Sequence, residues 1–382
     1  MRAELDQAER LSRGREAASR AQVSSASVAV RHYVAGGREH GGGIGRLAGY
    51  IVDAAAASGV RHAVTDTRGR RWSAPVSAAQ LLLAMIRMTL DRVQAPALIH
   101  HIHVAGRGST RRKLLLAAAA RALGCRHIVH LHDYDYAADY ESRRPGMQAA
   151  VRRMFQRADR VIALGMRDQA TLTGALGVNP DRLTILHNCV PDPGETVRVR
   201  AARPLILFLG RLGTRKGVPE LLQALADPVM APLSWQAVMA GDGPVDEYRQ
   251  RAAAFGLGDR TRFPGWLGPE PTRALCREAA ILVLPSHAEG LAMAVVEGMA
   301  HGLAVVTTRV GAHEEVINDG ETGLFVPVGD PRTLAETLAR LVTDEALRLR
   351  LGEAARRRYL ADFSIQAYLS SLERIYETVK RQ

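Results

Sequence analysis

Apolar positions along the chain cluster in short runs, and polar or glycine-bearing turns separate these runs from stretches with helical spacing. Runs such as 26–35 (ASVAVRHYVA), 97–104 (ALIHHIHV), 127–132 (HIVHLH), 159–164 (DRVIAL), 204–209, 235–240, 281–284 (ILVL) and 303–307 read as strands. The apolar run Ile281 to Leu284, bounded by Pro285, fits a buried strand of a parallel sheet, and 26–35 alternates. Between the runs, apolar residues recur at helical spacing, notably over 78–93, 111–123, 144–157, 166–176, 218–225, 272–280 and 291–301. Three more helices, at about 331–343, 345–358 and 364–380, follow Pro331. Strands alternating with helices predict an α/β fold built on parallel sheets.

The alternation breaks once. Residues 192–203 (DPGETVRVRAAR) are polar, show no period and read as a linker, and a strand begins directly after them. With 382 residues the chain has the length of two or three domains. The expected division is a polar extension over 1–25, a first domain over 26–191 joined by 364–382, and a second domain over 204–363. No apolar run approaches the ~18 residues that span a bilayer, and the first 25 residues, rich in Arg, Glu, Ser and Ala, lack the apolar core of a signal peptide. Cys125, Cys189 and Cys276 are far apart and share no metal-ligand spacing, which fits buried thiols in a reducing cytoplasm. His100, His101 and His103 precede a strand end without acidic or Cys partners, so no metal site is expected.

The net charge of +12 is uneven. Residues 1–190 hold 28 Lys and Arg against 15 Asp and Glu, or +13, and the remainder hold 23 against 24, or −1. A nucleic acid, an anionic membrane surface, a phosphorylated acceptor or an arginine-rich composition without a selected patch would each produce such a bias. The aromatic content of 5% and the lack of any nucleic-acid motif count against nucleic acid. The basic triplet Arg111, Arg112 and Lys113 opens a helix that Ser109 or Thr110 can cap. Cations there oppose the helix dipole, so the triplet is the candidate patch for an anionic acceptor or a membrane.

The densest chemistry lies in 281–330, where a strand, the turn Ser286-His287-Ala288-Glu289-Gly290, a helix over about 291–301 and another strand follow one another. Glu289 falls at the carboxyl end of a strand, where ligands of open α/β sheets bind. Glu297 falls within the helix; the eight-residue step amounts to roughly 12 Å of helix rise, too far for one acid–base dyad. Gly290 allows close backbone approach, and the amides after it open a helix N-terminus suited to phosphate. A second cluster follows the strand at 204–209: Gly210-Arg211-Leu212-Gly213-Thr214-Arg215-Lys216-Gly217. The planar fork of Arg211 can chelate two phosphate oxygens, and Lys216 adds a point charge. The turn Gly36 to Arg46, with Gly41-Gly42-Gly43, can present bare amides to an anion.

E-G-L-A-M-A-V-V-E-G-M-A-H-G, continued by G-A-H-E-E-V-I-N-D-G-E-T-G-L-F-V-P-V-G-D-P, closely resembles the signature of retaining glycosyltransferase family 4. Gly210 to Gly217 matches the family's G-R-x-x-x-x-K-G. The resemblance is strong over 204–331 and weak before 160. It implies an α/β fold of the GT-B type: two Rossmann-like domains facing across a cleft, with the last helix crossing back to the first domain near Asp362-Phe363-Ser364. It implies that Gly210, Arg211 and Lys216 hold the donor diphosphate, with Gly290 and Leu291 at the helix start. Glu289 would contact sugar hydroxyls and Glu297 the ribose. Gly241 and Gly243 of Gly241-Asp242-Gly243-Pro244 would pack close to the nucleotide, and Arg262 to Trp266 would border the base. Gly42, Gly43 and Ile44 would line the cleft beside the donor phosphates and acceptor, and His132 of His132-Asp133 would stand near the donor sugar. Two departures occur. Gly165 replaces the usual Ser of the A-D-x-V-I-A-x-S segment, and Cys189 replaces the Gly of I-x-N-G-V-D.

The implied reaction moves a sugar from a UDP- or GDP-linked donor to a glycan or polyprenyl-diphosphate-linked acceptor, with retention and without metal or cofactor, in cell-surface glycan assembly. It is expected in the cytoplasm, with contact to the inner face of the membrane. A sugar-nucleotide epimerase, a phosphorylase of the same fold and a non-catalytic binding protein are the alternatives.

Overall fold

The computed structural model describes residues 28–57, 60–70, 72–194 and 203–381. The expected extension at 1–25 and positions 195–202 of the expected linker lie outside the described residues. Two six-stranded sheets form the frame, parallel in every registered pair. The first runs in the order β2-β1-β3-β4-β5-β6, from β1 (Val28–Val34), β2 (Arg61–Asp66), β3 (Ile99–Val104), β4 (His127–Leu131), β5 (Arg160–Ala163) and β6 (Leu183–Ile185). The second runs β12-β11-β10-β7-β8-β9, from β7 (Leu205–Leu209), β8 (Gln236–Ala240), β9 (Thr261–Gly265), β10 (Ile281–Leu284), β11 (Ala304–Thr308) and β12 (Leu324–Val326). Parallel neighbours require crossover connections, and the helices between the strands supply them. The two sheets make a two-domain α/β fold of the GT-B type.

The apolar runs of the second sheet and the histidine-bearing runs of the first both form buried strands. β3, β4, β7, β10 and β11 have no exposed residue. By contacts the described chain divides into two compact units. One runs through His130, resumes over Arg144–Ile162 and takes in the chain from Leu372. The other holds Leu131–Arg143 and Ala163–Ser371. The last helix, Ile365–Lys380, therefore begins in one unit and ends in the other. A π turn, Tyr359–Phe363, precedes it.

Several local expectations are corrected. The helix of the 281–330 stretch is Met293–Ala300, and Ala292 stays extended at φ −71°, ψ 120°. The chain from Glu289 to Ala292 is therefore not helical, and the step to Glu297 is not a helical rise. The glycine-bearing turn at 36–46 is largely helical: one turn over Gly37–His40, then a helix from Gly42 to Ala57. Gly42, Gly43 and Ile44 form the first residues of that helix. The helix after β3 starts at Gly108, with Arg107 as N-cap at φ 57° and no side-chain cap. Ser109 and Thr110 bond to Ala105 instead, Ser109 Oγ accepting its N–H and Thr110 Oγ1 donating to its carbonyl.

The Arg111–Lys113 triplet is not one surface patch. Lys113 is fully buried and donates to the Tyr33 carbonyl at 2.9 Å and to Thr67 Oγ1 at 2.6 Å. Burial pushes its ammonium well below the usual lysine range, with Arg112 adding to the shift. Arg111 alone of the three is exposed.

Candidate active site

In the second unit, the loops at the carboxyl ends of five neighbouring strands are fastened to one another by backbone contacts. After β7 the chain turns at Gly210, makes a 3₁₀ turn over Thr214–Lys216 and enters the helix Val218–Leu225 through Gly217. Gly217 lies in the left-handed region at φ 70°, and a Cβ there would sit 2.0 Å from the Pro285 carbonyl oxygen. Only glycine fits both demands. The His287 N–H donates to the Arg215 carbonyl at 2.8 Å, joining the loops after β10 and β7. On the other side, the Leu212 N–H donates to the Asp242 carbonyl at 2.7 Å, and a Cβ on Gly241 would lie 1.8 Å from the Gly210 oxygen. The Gly241 N–H donates to the Gly265 carbonyl at 2.9 Å. Beyond β10, the Ala312 N–H donates to the Gly290 carbonyl at 2.7 Å, and Gly311 at φ 57° leaves no room for a Cβ beside the Glu289 and Gly290 oxygens.

This frame holds a compact charge cluster. Glu289 is 6% exposed. Its Oε1 accepts from Lys216 Nζ at 2.5 Å and from Ser286 Oγ at 2.8 Å, and its Oε2 lies 3.4 Å from Arg215 Nη1. Burial would raise the Glu289 carboxyl, but Lys216, Arg215 and Ser286 outweigh it and hold the group below its ordinary value. Glu289 is therefore an anion at neutral pH. Arg215 donates to the Ala288 carbonyl at 2.7 Å and stacks on the Tyr134 ring at 4.9 Å. With Arg215 and Lys216 against Glu289, the cluster carries one positive charge in excess. Arg211 stands beside it with its charge balanced only by Asp242: its side chain is 70% exposed and 3.3 Å from the Asp242 carboxylate, itself 56% exposed. An exposed pair of this kind is weak and open to exchange for a better anion.

The sequence-expected residues divide accordingly. Gly210, Arg211, Lys216, Gly241, Gly243, Glu289, Gly290 and Leu291 all stand in these adjoining loops. Leu291 is buried and its carbonyl accepts from Asn188 Nδ2 at 2.9 Å. A Cβ on Gly290 would come within 3.3 Å of Leu164 Cδ1. Glu297 is buried in the helix Met293–Ala300. Trp266 follows β9 with its side chain open to solvent. A cavity of about 550 Å³ touches Arg262, Phe263, Pro264 and Leu267, but it runs along the edge strand β9 from Gly258, and none of Arg211, Lys216 or Glu289 lines it. His132 directly follows β4; burial pushes its imidazole down to about 3, so it is neutral at physiological pH. Gly42, Gly43 and Ile44 belong to the first unit.

Three residues gain a meaning that sequence reading did not assign. Arg215, read as an unmarked position of the motif, is the second cation on Glu289. His313 is fully buried; its Nδ1 donates to the Thr308 carbonyl at 3.1 Å, which leaves Nε2 as a bare acceptor without a partner. Burial lowers its pKa, partly opposed by Glu289. The only sequence sign was a histidine inside the G-A-H-E-E run. Glu315 accepts from the Met166 N–H at 2.8 Å and from His187 Nε2 at 3.0 Å. It also explains Gly165, where a Cβ would lie 2.5 Å from Glu315 Oε1 and 2.6 Å from the Ala312 Cβ. Cys189, the other departure, is buried without positive φ, so its turn accepts a Cβ unstrained.

Residues 196–358 match the family model described as glycosyl transferases group 1, and residues 41–192 match that of glycosyltransferase family 4. The chain belongs to this glycosyltransferase family. It is 29% identical over 345 residues to the lipopolysaccharide core biosynthesis glycosyltransferase LpsE of Rhizobium meliloti, covering 85% of this chain and 93% of LpsE. It is 36% identical over 210 residues to the phosphatidyl-myo-inositol mannosyltransferase of Mycobacterium leprae, and that match spans about half of each protein, 53% and 52%. The crystal structure of HepE from Anabaena in complex with UDP shares the fold with a TM-score of 0.70 at 17% identity, over 92% of this chain and 100% of HepE. The family is one of enzymes, and this member is a hexosyltransferase.

Proposed function

We propose that the enzyme transfers a hexose from a nucleotide-diphosphate sugar to a glycan or lipid-linked acceptor in cell-surface glycan assembly, with retention and without a metal ion in the transfer step. The observation that carries this reading is the Arg215–Lys216–Glu289 cluster at the strand ends. Its excess positive charge is fixed by the loop frame before any ligand arrives. Stabilisation of this preorganised kind is the largest contribution to many enzymatic rates. Lys216 and Arg211 would face the diphosphate. The anomeric carbon–oxygen bond breaks with its electron pair passing to the β-phosphate oxygen. The acceptor hydroxyl attacks the same face and gives its proton to that oxygen, so no protein nucleophile is needed. Glu289, anionic and buried, would hold the ammonium and accept from sugar hydroxyls, and Glu297 would accept from the ribose. His132, neutral, would serve as a hydrogen-bonding partner of the sugar, not as a cation. Gly241, Gly243 and Trp266 would border the nucleotide, and Gly42, Gly43 and Ile44 would serve acceptor binding.

HepE has also been solved with UDP-glucose, which supports a nucleotide-sugar donor, and the LpsE likeness supports a lipid-linked glycan as acceptor. A membrane-facing acceptor is further supported by the helix Ala74–Gln94, whose Val76, Leu83, Ile86, Leu90 and Val93 are all exposed at helical spacing. No helix among the described residues is long and apolar enough to cross a membrane. An amphipathic helix in a basic half suits an anionic lipid surface. The test is nucleoside-diphosphate release from UDP-glucose, UDP-galactose, UDP-N-acetylglucosamine and GDP-mannose with chelator present, followed by NMR of the product's anomeric proton. Turnover of one donor with retention is expected. Absence of turnover with all four, or an inverted product, would overturn the proposal.

A further inference from the structure

The first sheet carries a row of imidazoles, buried except for the half-buried His62, that the transfer reaction does not use. His62 on β2, His32 on β1, His101 and His103 on β3, and His130 on β4 occupy four neighbouring strands. Register brings them together. His32 pairs with His101 across the β1–β3 ladder, and His103 lies two residues on, hence on the same sheet face. The His101 and His103 rings stack 4.3 Å apart at 4°. His32, His101 and His130 are fully buried and His103 is 2% exposed.

A neutral imidazole carries one N–H and one lone pair, so hydrogen bonds alone link such rings end to end in a chain. Here three rings converge. Among the described residues, His32, His101 and His103 each place a ring nitrogen within 4.8 Å of the other two. The outward nitrogens of two of them are already held, His32 Nε2 by His62 Nδ1 at 3.0 Å and His101 Nδ1 by the Tyr376 hydroxyl at 2.8 Å. That leaves His32 Nδ1 facing His103 Nε2 at 2.9 Å, and His101 Nε2 facing His130 Nδ1 at 3.2 Å. A tetrahedral ion with metal–nitrogen bonds of about 2.0–2.1 Å spaces its ligand nitrogens by about 3.3 Å. Outer partners on the far nitrogens are what metal-binding histidines generally carry, because they fix tautomer and ring plane.

We propose that His32, His101 and His103, with His130 as fourth nitrogen, form a site for one transition-metal dication of the zinc type, fastening β1, β3 and β4 within the first unit. An all-imidazole set selects zinc, cobalt or nickel over magnesium or calcium, which take oxygen ligands. The site is structural and belongs to the first unit, whereas Arg211, Lys216 and Glu289 belong to the second. The H-x-H on β3 carries only half of the ligands, and the other two come from strands distant in sequence. That is why spacing alone pointed to no metal.

The test uses the full chain, without a histidine tag, grown with zinc and dialysed. Elemental analysis is expected to find about one zinc per chain. Cobalt added to the stripped chain is expected to give the intense visible bands of a four-coordinate nitrogen set, and zinc to raise the Tm of the stripped wild type. His32→Asn and His103→Asn should lose the ion, and His62→Gln should keep it. The wild-type readings stand even if a variant fails to fold. Substoichiometric zinc with no cobalt bands and no Tm shift would overturn the proposal, leaving a hydrogen-bonded imidazole row. Undiminished zinc in the His32→Asn/His103→Asn double variant would overturn it too.

Discussion

Replacing Lys216 with Met removes its charge at nearly constant volume, and the structure sets two separate costs. Lys216 and Glu289 have side chains 14% and 8% exposed, so the pair is largely withdrawn from water. Breaking a buried pair by deleting one partner costs about 3–5 kcal/mol. Arg215 and Ser286 remain on the carboxylate, so a stability loss at or just below the lower end of that range, about 2–3 kcal/mol, is expected. The catalytic cost is different in kind. Losing one preorganised group that stabilises developing charge lowers turnover about 10²–10³-fold, or roughly 3–4 kcal/mol. Glu289→Gln in the Lys216→Met background removes the stranded anion. The double variant should regain about 1–2 kcal/mol of stability yet no turnover. Urea unfolding reads the first cost, and nucleoside-diphosphate release at saturating donor reads the second. Lys216→Met turning over within about tenfold of wild type would refute the role given to the ammonium. Recovery of turnover together with stability in the double variant would show that the pair serves folding only.

Two further outcomes are expected. The full chain should sediment with vesicles containing anionic lipid far more than with neutral ones, and Ile86→Asp/Leu90→Asp should weaken that binding; equal binding to both vesicle types would remove the electrostatic argument. Burial raises the Asp168 carboxyl to about 7, with Asp133 and Glu315 reinforcing the shift and the Leu164 N–H and Arg167 opposing it. A folded-state value above the unfolded one means that the native state holds a proton the unfolded state releases. This contribution is complete below the ordinary carboxylate pKa and is lost as pH rises through about 7. Asp168→Asn should therefore gain about 2–4 kcal/mol over wild type at pH ~8 and much less at pH ~5 by urea unfolding. An equal difference at both pH values would show that the carboxyl does not titrate as its surroundings require.

Much of the second unit was legible in the sequence for a physical reason. Runs such as Ile281–Leu284 must be covered on both faces, and each is followed by a turn whose glycines have one conformational use. The sequence pattern alone thus places Gly210, Arg211, Lys216, Glu289 and Gly290 at strand ends. What stayed hidden was pairing across loops. The family motifs put Lys216 on a diphosphate and Glu289 on a sugar, and do not show that the fold also binds the two to each other and adds Arg215. Lys113 was misread because a cation in a first helical turn looks like surface until Thr67 and the Tyr33 carbonyl are found beneath it. The histidine row escaped for a similar reason. H-x-H on β3 reads as two residues on one strand face, and its partners on β1, β2 and β4 become neighbours only through strand order.

That row bears on how the molecule responds to heat. Exposing apolar surface on unfolding raises the heat capacity, and exposing polar surface lowers it. The strands at the centre of the second sheet, β7, β10 and β11, carry aliphatic side chains with Phe208, Thr307 and Thr308, whereas those of the first carry imidazoles and sit near a buried ammonium. The first unit should therefore have the flatter stability curve and the second the more strongly arched one. Unfolding of the first unit should accordingly carry the smaller heat-capacity increment per residue, which calorimetry reads directly.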